Sequence, residues 1–204
     1  MKTISCMNID PELLYEFGAE DRFYKAKEII YKEGDTALYY YQIISGKVKQ
    51  NSYNEEGKEF IHNILGEKNS FGDPMLFLEK FYAMNAICIT DTEIIRLPKN
   101  SFLELLEKNP KISLEMNQCL SQRLYFKAIM LQNMSSLNPV TRLKGLLDYL
   151  KSYHEGDCEQ CFHVDLTRQQ IANLTGLRVE TVIRTLKKME KEGSLKIESR
   201  KILY

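Results

Sequence analysis

Glu180, Ile183 and Arg184 lie within one turn of a helix and together carry the chemistry needed to read a base pair. An arginine fork donates to guanine O6 and N7, a carboxylate accepts from cytosine N4, and an aliphatic group touches the thymine methyl. Such a set works only on a helix whose other face is anchored. Val182, Leu186 and Met189, at steps of four and three, supply that anchor and leave Val179, Glu180, Ile183, Arg184 and Lys187 outward. The plainer reading of the same residues is an ordinary helical hairpin with a solvated Glu180–Arg184 pair. A second cluster, His154, Cys158, Cys161 and His163, has a CxxC spacing flanked by histidines. It offers four zinc ligands or a redox-active thiol pair, against an exposed loop that binds nothing. The compactness of the set and the lack of a second CxxC favour the loop, so no metal is assigned.

The elements that must position the reading face are legible nearby. Thr167 followed by Gln170 is a capping box, which starts a helix at about Arg168. Ala172 permits a close helix crossing, Gly176 suits a tight turn, and Val182 is the buried anchor of the next helix, the spacing of a helix-turn-helix. Thr167, Arg168, Gln169 and Arg178 at the helix starts join Val179, Glu180, Ile183, Arg184 and Lys187 as the candidate DNA-contacting set. From Arg168 to Lys201 nine basic side chains face four acidic ones, a local charge of +5 in a chain whose net charge is zero. That segregation is what a phosphate-binding surface requires.

The chain has 204 residues and is 44% hydrophobic, a globular composition with room for more than one core. No apolar run approaches a membrane span, and the start MKTISCMNIDPELL lacks the apolar stretch of a signal peptide. With five cysteines in no regular framework, this predicts a cytoplasmic protein in a reducing compartment.

Asp10-Pro11 starts a short helix, and from Phe23 to Pro98 short strand-like runs alternate with glycine turns at Gly34, Gly46, Gly57, Gly66 and Gly72. That pattern predicts a jelly roll over 1–109. Ser101 is read as the cap of a helix from Phe102 to Glu107, and Asn109-Pro110 opens a long helix over 110–137. Its stripe of Met116, Leu120, Leu124, Ala128, Leu131 and Met134 is a candidate seam for a parallel homodimer, or a face that packs only on its own roll. Residues 138–204 then hold the helix-turn-helix, with Gly193–Ile197 and Lys201–Tyr204 as two strands of a wing. The predicted class is α+β.

These pieces resemble the cyclic-AMP receptor protein / fumarate-nitrate regulator family of bacterial transcription factors over nearly the whole chain. The residues that carry the resemblance are Gly34-Asp35, Leu38-Tyr39, Ser45-Gly46-Lys47-Val48, Glu56-Gly57-Lys58-Glu59, Phe71-Gly72-Asp73, Thr90-Asp91-Thr92-Glu93 and Leu166 to Leu186. The resemblance implies a cyclic-nucleotide-binding-like β-roll sensor, a dimerisation helix and a winged helix on a palindromic operator, with RNA polymerase as a further partner. Val179 stands where the cyclic-AMP receptor branch usually has Arg, so the reading helix looks more like the fumarate-nitrate branch.

The sensor half departs from both branches. Residues 73–85, where a nucleotide-binding member would place an Arg for the phosphate, contain none, and Lys80 lacks the bidentate fork. Only Cys6 stands where the iron–sulfur branch clusters three cysteines, and Cys88 and Cys119 read as buried apolar residues. Tyr41, Phe71, Gly72, Met75, Phe77, Tyr82 and Met84, with Tyr39 and Phe81, either line an effector pocket or form the core. A haem remains open, with His62 as the only histidine in the roll, though a lone histidine reads first as structural. The effector and any cofactor are thus unassigned. The rival classes are a cyclic-nucleotide-binding regulatory protein without a DNA role and a cupin-like metal enzyme. The intact helix-turn-helix opposes the first, and the scarcity of histidines opposes the second.

Overall fold

The computed structural model describes residues 7–152 and 162–204, which fall into two compact units, one reaching to Ser121 and one from Gln122 to Tyr204. The first unit begins with α1 (Pro11–Glu16), where the Asp10 carboxylate accepts from the Glu12 N–H at 3.1 Å and Pro11 takes a position that needs no donor. Eight strands follow: β1 (Glu20–Tyr24), β2 (Ile29–Tyr31), β3 (Tyr39–Ser45), β4 (Val48–Tyr53), β5 (Glu59–Leu65), β6 (Ser70–Phe71), β7 (Asn85–Cys88) and β8 (Thr92–Pro98). They pair antiparallel into two four-stranded sheets, ordered β1-β8-β3-β6 and β2-β7-β4-β5. This is the expected roll.

Strand β3 explains why its sequence shows no alternation of apolar and polar residues. Tyr40 stacks on Phe102 and Tyr41 on Phe71, so both faces of the strand are covered. Gln42 is wholly buried yet satisfied. Its carbonyl oxygen accepts from the Ile9 N–H and the Tyr40 hydroxyl, and its amide donates to the Ile9 carbonyl, each at 2.8 Å. This pair of hydrogen bonds to Ile9 pins the segment ahead of α1 to the sheet.

Three helices complete the roll's half of the chain. The short α2 (Asp73–Leu78) follows Gly72 directly and passes unnoticed in the sequence, because six residues are too few for a helical period. The next helix, α3 (Lys99–Lys108), begins three residues before the expected start. Ser101 is therefore inside it and not its cap, since Pro98 ends β8 in an extended conformation and the chain turns at once into the helix. The long helix α4 (Pro110–Ser135) ends two residues short of the expected Leu137. Its first half belongs to the roll: Met116 and Cys119 are buried in the core, with Ile112 and Leu120 packed against it. Cys119 and Cys88 are both buried thiols, as expected of apolar cysteines, and burial pushes the Cys88 thiol up from its ordinary pKa.

In the second unit the latter half of α4 is followed by α5 (Pro139–Ser152), β9 (His163–Val164), α6 (Arg168–Thr175), α7 (Val179–Lys191), β10 (Lys196–Glu198) and β11 (Lys201–Leu203). Leu143, Leu146 and Leu147 bury the inner face of α5. The wing has three strands, not two, in the order β10-β11-β9. The third, β9, is too short to have a sequence signature; Val164 opposite Ile202 in its register buries both side chains. Among the described residues no helix is long and apolar enough to cross a membrane.

Candidate nucleic-acid interface

Both ends of α6 are set locally. The Thr167 hydroxyl accepts from the Gln170 N–H at 3.1 Å while the Gln170 side chain accepts from the Thr167 N–H at 2.8 Å, a complete capping box. At the other end of α6, Gly176 takes a φ of 67°, a left-handed conformation that residues with a Cβ adopt only at a cost. Ile171 and Ala172 are buried between these ends. Replacing Thr167 with Ala should lower the stability of the DNA-binding unit by about 1 kcal/mol, the ordinary worth of an N-cap. Urea denaturation of wild type and Thr167→Ala followed by circular dichroism measures it, and an unmoved midpoint would show that the cap contributes nothing.

On α7, Val182, Leu186 and Met189 are buried to 1% exposure or less, and Thr185 is buried beside them. Glu180, Ile183, Arg184 and Lys187 are exposed on the opposite side, with Val179 half-buried at the start. Among the described residues, Glu180 and Arg184 are not joined to each other, and the ion pair on this helix links Lys188 to Glu192 at 3.7 Å. The plain hairpin reading, in which those two side chains satisfy one another, is therefore not the arrangement found. Arg178 is exposed at the N-cap position of α7.

Two further basic groups meet where α6 touches the wing, and the sequence marked only one of them. Arg168 is turned onto the wing, its Nη2 donating to the Arg200 carbonyl at 3.3 Å, and burial lowers its pKa from the ordinary guanidinium value. Gln169 donates to Asn173 at 2.9 Å. The unforeseen group is Arg200, which with Ser199 forms the two-residue turn between β10 and β11 at φ values of 68° and 48°. Such a turn favours Gly or Asn at both positions, so its geometry is not legible from Ser199-Arg200 even though the two strands are, and it places a cation at the tip of the hairpin.

The zinc reading leaves little to test. His154, Cys158 and Cys161 lie outside the described residues, and His163 is an exposed residue of β9 paired with Leu203. Among the described residues no group of three or more His, Cys, Asp or Glu side chains is placed to hold a metal ion.

In the roll, the residues named as pocket liners separate into two groups. Tyr41, Phe71 and Tyr82 are at most 4% exposed and join Tyr31 in one aromatic cluster, with Tyr31 and Tyr82 stacked at 3.7 Å and Tyr41 and Phe71 at 5.0 Å. Burial, and after it the mutual interaction of the two phenols, pushes the Tyr41 pKa up, and burial likewise raises Tyr82, so both stay neutral. Gly72 ends β6 against this cluster: a Cβ there would stand 2.9 Å from the Tyr41 ring. Met75 packs on the core and Met84 is half-buried. Phe77 and Phe81 stand apart from this cluster, 42% and 65% exposed, with Phe77 meeting the buried Phe102 edge-on at 5.9 Å. His62 is a structural residue, its Nε2 2.9 Å from the Ser52 hydroxyl and its ring edge-on to Phe60.

The expected seam on α4 also needs correcting. Met116 and Leu120 face the protein's own core, while Leu114, Leu124 and Leu131 are 59%, 72% and 72% exposed. Leu114 lies outside the stripe phased on Met116, because the roll core and the open face run side by side along one helix. Met134 is half-buried.

A two-sheeted roll, a long helix and a winged helix-turn-helix define a two-part regulator in which a sensor-type domain precedes a DNA-binding domain. Comparison with known proteins places it further. Residues 21–109 match the cyclic nucleotide-binding domain family and residues 141–203 the Crp-like helix-turn-helix domain family. The cAMP-activated global transcriptional regulator CRP of Haemophilus influenzae is 27% identical over 182 residues, 88% of this chain and 81% of that protein. Among solved structures, a mutant of CooA from Carboxydothermus hydrogenoformans superposes with a TM-score of 0.81 at 20% identity, covering 100% of this chain and 92% of the other. The c-di-GMP-responsive global regulator CLP of Xanthomonas campestris does so with a TM-score of 0.75 at 22% identity, covering 95% and 98%. The chain belongs to the Crp/Fnr family of transcriptional regulators and binds DNA through its helix-turn-helix domain.

Proposed function

We propose that this regulator acts as a cytoplasmic homodimer on a palindromic operator, each protomer laying α7 in a major groove. The observation that carries this reading is the exposed row Glu180, Ile183 and Arg184 on a helix anchored by Val182, Leu186 and Met189. Arg184 and Glu180 read the G·C pair of a TTGA-like half-site and Ile183 meets a thymine methyl. Thr167, Gln169, Arg178 and Lys187 flank them at the phosphates, Val179 packs at the groove entrance, and Arg168 holds the wing so that Arg200 reaches the backbone. Leu114, Leu124 and Leu131 on α4, spaced ten and seven residues apart with Ala128 between the last two, supply the dimer seam, where steps of three and four keep one face turned to the partner. RNA polymerase is the further partner through which such a dimer would regulate transcription, and the protein has no catalytic role.

The effector sensed in the roll is not cyclic AMP or cyclic GMP. Relatives named as cAMP-activated share the domain, but here residues 73–85 carry no Arg, and Tyr82 in that stretch is stacked on Tyr31. A nucleotide phosphate would be desolvated against Lys80 at best, which is unfavourable without a bidentate partner. Calorimetry with both nucleotides should register no binding at physiological concentration. A palindromic duplex with TTGA-type half-sites should be bound in preference to a scrambled duplex, equally with and without them. Micromolar nucleotide binding that is lost in Lys80→Ala would overturn the effector reading, and equal affinity for both duplexes would overturn the DNA reading.

A further inference from the structure

Glu190 is an acid on a face built of bases. It follows Ile183 by seven residues and Lys187 by three, which sets it on the same stripe of α7 as part of the reading face, exposed as they are, in the last turn of the helix. A carboxylate there repels the phosphates that the surrounding cations must neutralise, so charge alone argues against it. Two other acids of this segment have their uses: Glu180 belongs to base reading, and Glu192 pairs with Lys188 at 3.7 Å. Glu190 turns instead to the wing, where its Oε1 accepts from the Ile197 N–H of β10 at 2.9 Å.

The local fold leaves that N–H in need of such a partner. At its end α7 closes in a Schellman arrangement, with the Gly193 N–H donating to the Glu190 carbonyl at 3.0 Å and the Ser194 N–H to the Met189 carbonyl at 2.9 Å. Gly193 takes a φ of 74°, which turns the chain back, and Leu195 is buried just beyond it. Strand β10 then runs along the outside of the wing, whose order is β10-β11-β9. Glu198 and Lys201 close the two-residue turn as a hydrogen-bonded pair, so the N–H and C=O groups of the next pair, Ile197 and Ile202, point away from each other. Those of Ile202 face β9, where it pairs with Val164. Those of Ile197 face the open edge, beyond the reach of the ladder. The Glu190 carboxylate meets the N–H there, a charge-assisted bond that ties the root of the hairpin to α7. Arg168 ties the tip to α6 through the Arg200 carbonyl. Between these two ties Lys196, Arg200 and Lys201 are all exposed.

We infer that Glu190 is a positioning residue for DNA binding: acting through β10, it fixes the wing to the reading helix, so that Arg200 and Lys201 meet the phosphate backbone while α7 lies in the groove. This rests on the proposed contact of the wing with the backbone, and the test tells the two apart. Two comparisons hold the charge constant. Glu190→Gln and Glu190→Ala both remove the negative charge, but only Glu190→Gln keeps an oxygen able to accept from Ile197. Glu190→Asp keeps the charge and shortens the reach by one methylene. On a palindromic and on a scrambled duplex, Glu190→Ala should bind about 5-fold or more weakly than Glu190→Gln, and its salt dependence should be shallower by about 1 for each phosphate contact the wing loses. Glu190→Asp should weaken binding relative to the wild type in the same manner, and it carries the comparison if Glu190→Ala does not fold. In the free protein, amide exchange at Ile197 should quicken in Glu190→Ala and not in Glu190→Gln, while that at Ile202, held by β9, stays slow. Equal affinity of Glu190→Ala and Glu190→Gln on both duplexes, or an Ile197 amide that exchanges at the wild-type rate in Glu190→Ala, would each overturn the inference. A wild type that binds the two duplexes equally would overturn the base reading instead, and the difference between Glu190→Ala and Glu190→Gln on the scrambled duplex would still decide the role of Glu190.

Discussion

Arg184→Ala should cost about 1–3 kcal/mol of affinity on a specific palindromic site and leave binding to a scrambled duplex nearly unchanged. Removal of the guanidinium leaves the fold intact, because Arg184 is exposed and the inward face of α7 is carried by Val182, Leu186 and Met189. What is lost is the fork to guanine O6 and N7, and a dimer loses it twice. Titrations of both proteins against both duplexes at one salt concentration measure the effect, since the non-specific term itself depends steeply on salt. Equal losses on the two duplexes would assign Arg184 to a phosphate and leave base reading to other residues. Substitution of Lys187 should show that opposite pattern, a uniform weakening with a shallower salt dependence.

Leu124→Glu should give a monomer that keeps its fold and binds the operator about 100-fold or more weakly, because one protomer holds only one half-site and the gain from linked binding disappears. Leu124 is 72% exposed in the single chain, so a carboxylate there meets water in the monomer and meets the partner's apolar seam only in the dimer. Sedimentation velocity reports the mass and circular dichroism the fold. A mutant that remains dimeric at micromolar concentration would move the seam off this face of α4. Met116→Glu makes the contrast: Met116 is 2% exposed in the roll core, and its substitution should unfold the roll before it affects assembly.

How much of this could be read from the chain follows the range of the interactions involved. The helix-turn-helix was legible because its parts act over a few residues: Thr167 and Gln170 satisfy each other across one turn, Gly176 takes its own φ, and Val182, Leu186 and Met189 share a face by the helical period alone. The roll was legible as a class, since glycine turns punctuate its strands, and Cys88 and Cys119 were rightly read as buried. Elements shorter than a period, α2 and β9, were not, and neither was the start of α3, which Pro98 and the end of β8 decide.

The sequence by itself determined what each residue can do: which side chains can read a base, which stripe on α4 is apolar, and which segment lacks a phosphate-binding arginine. Only the tertiary structure decided what each of those residues is spent on. Met116 and Leu124 stand at the same spacing on one helix, yet the roll core takes the first and solvent the second. Phe71 and Phe77 are equally apolar, yet one is stacked inside the aromatic cluster and the other left 42% exposed on α2. Burial depends on what arrives from far along the chain, and periodicity records only that a residue can be buried, not which neighbour covers it.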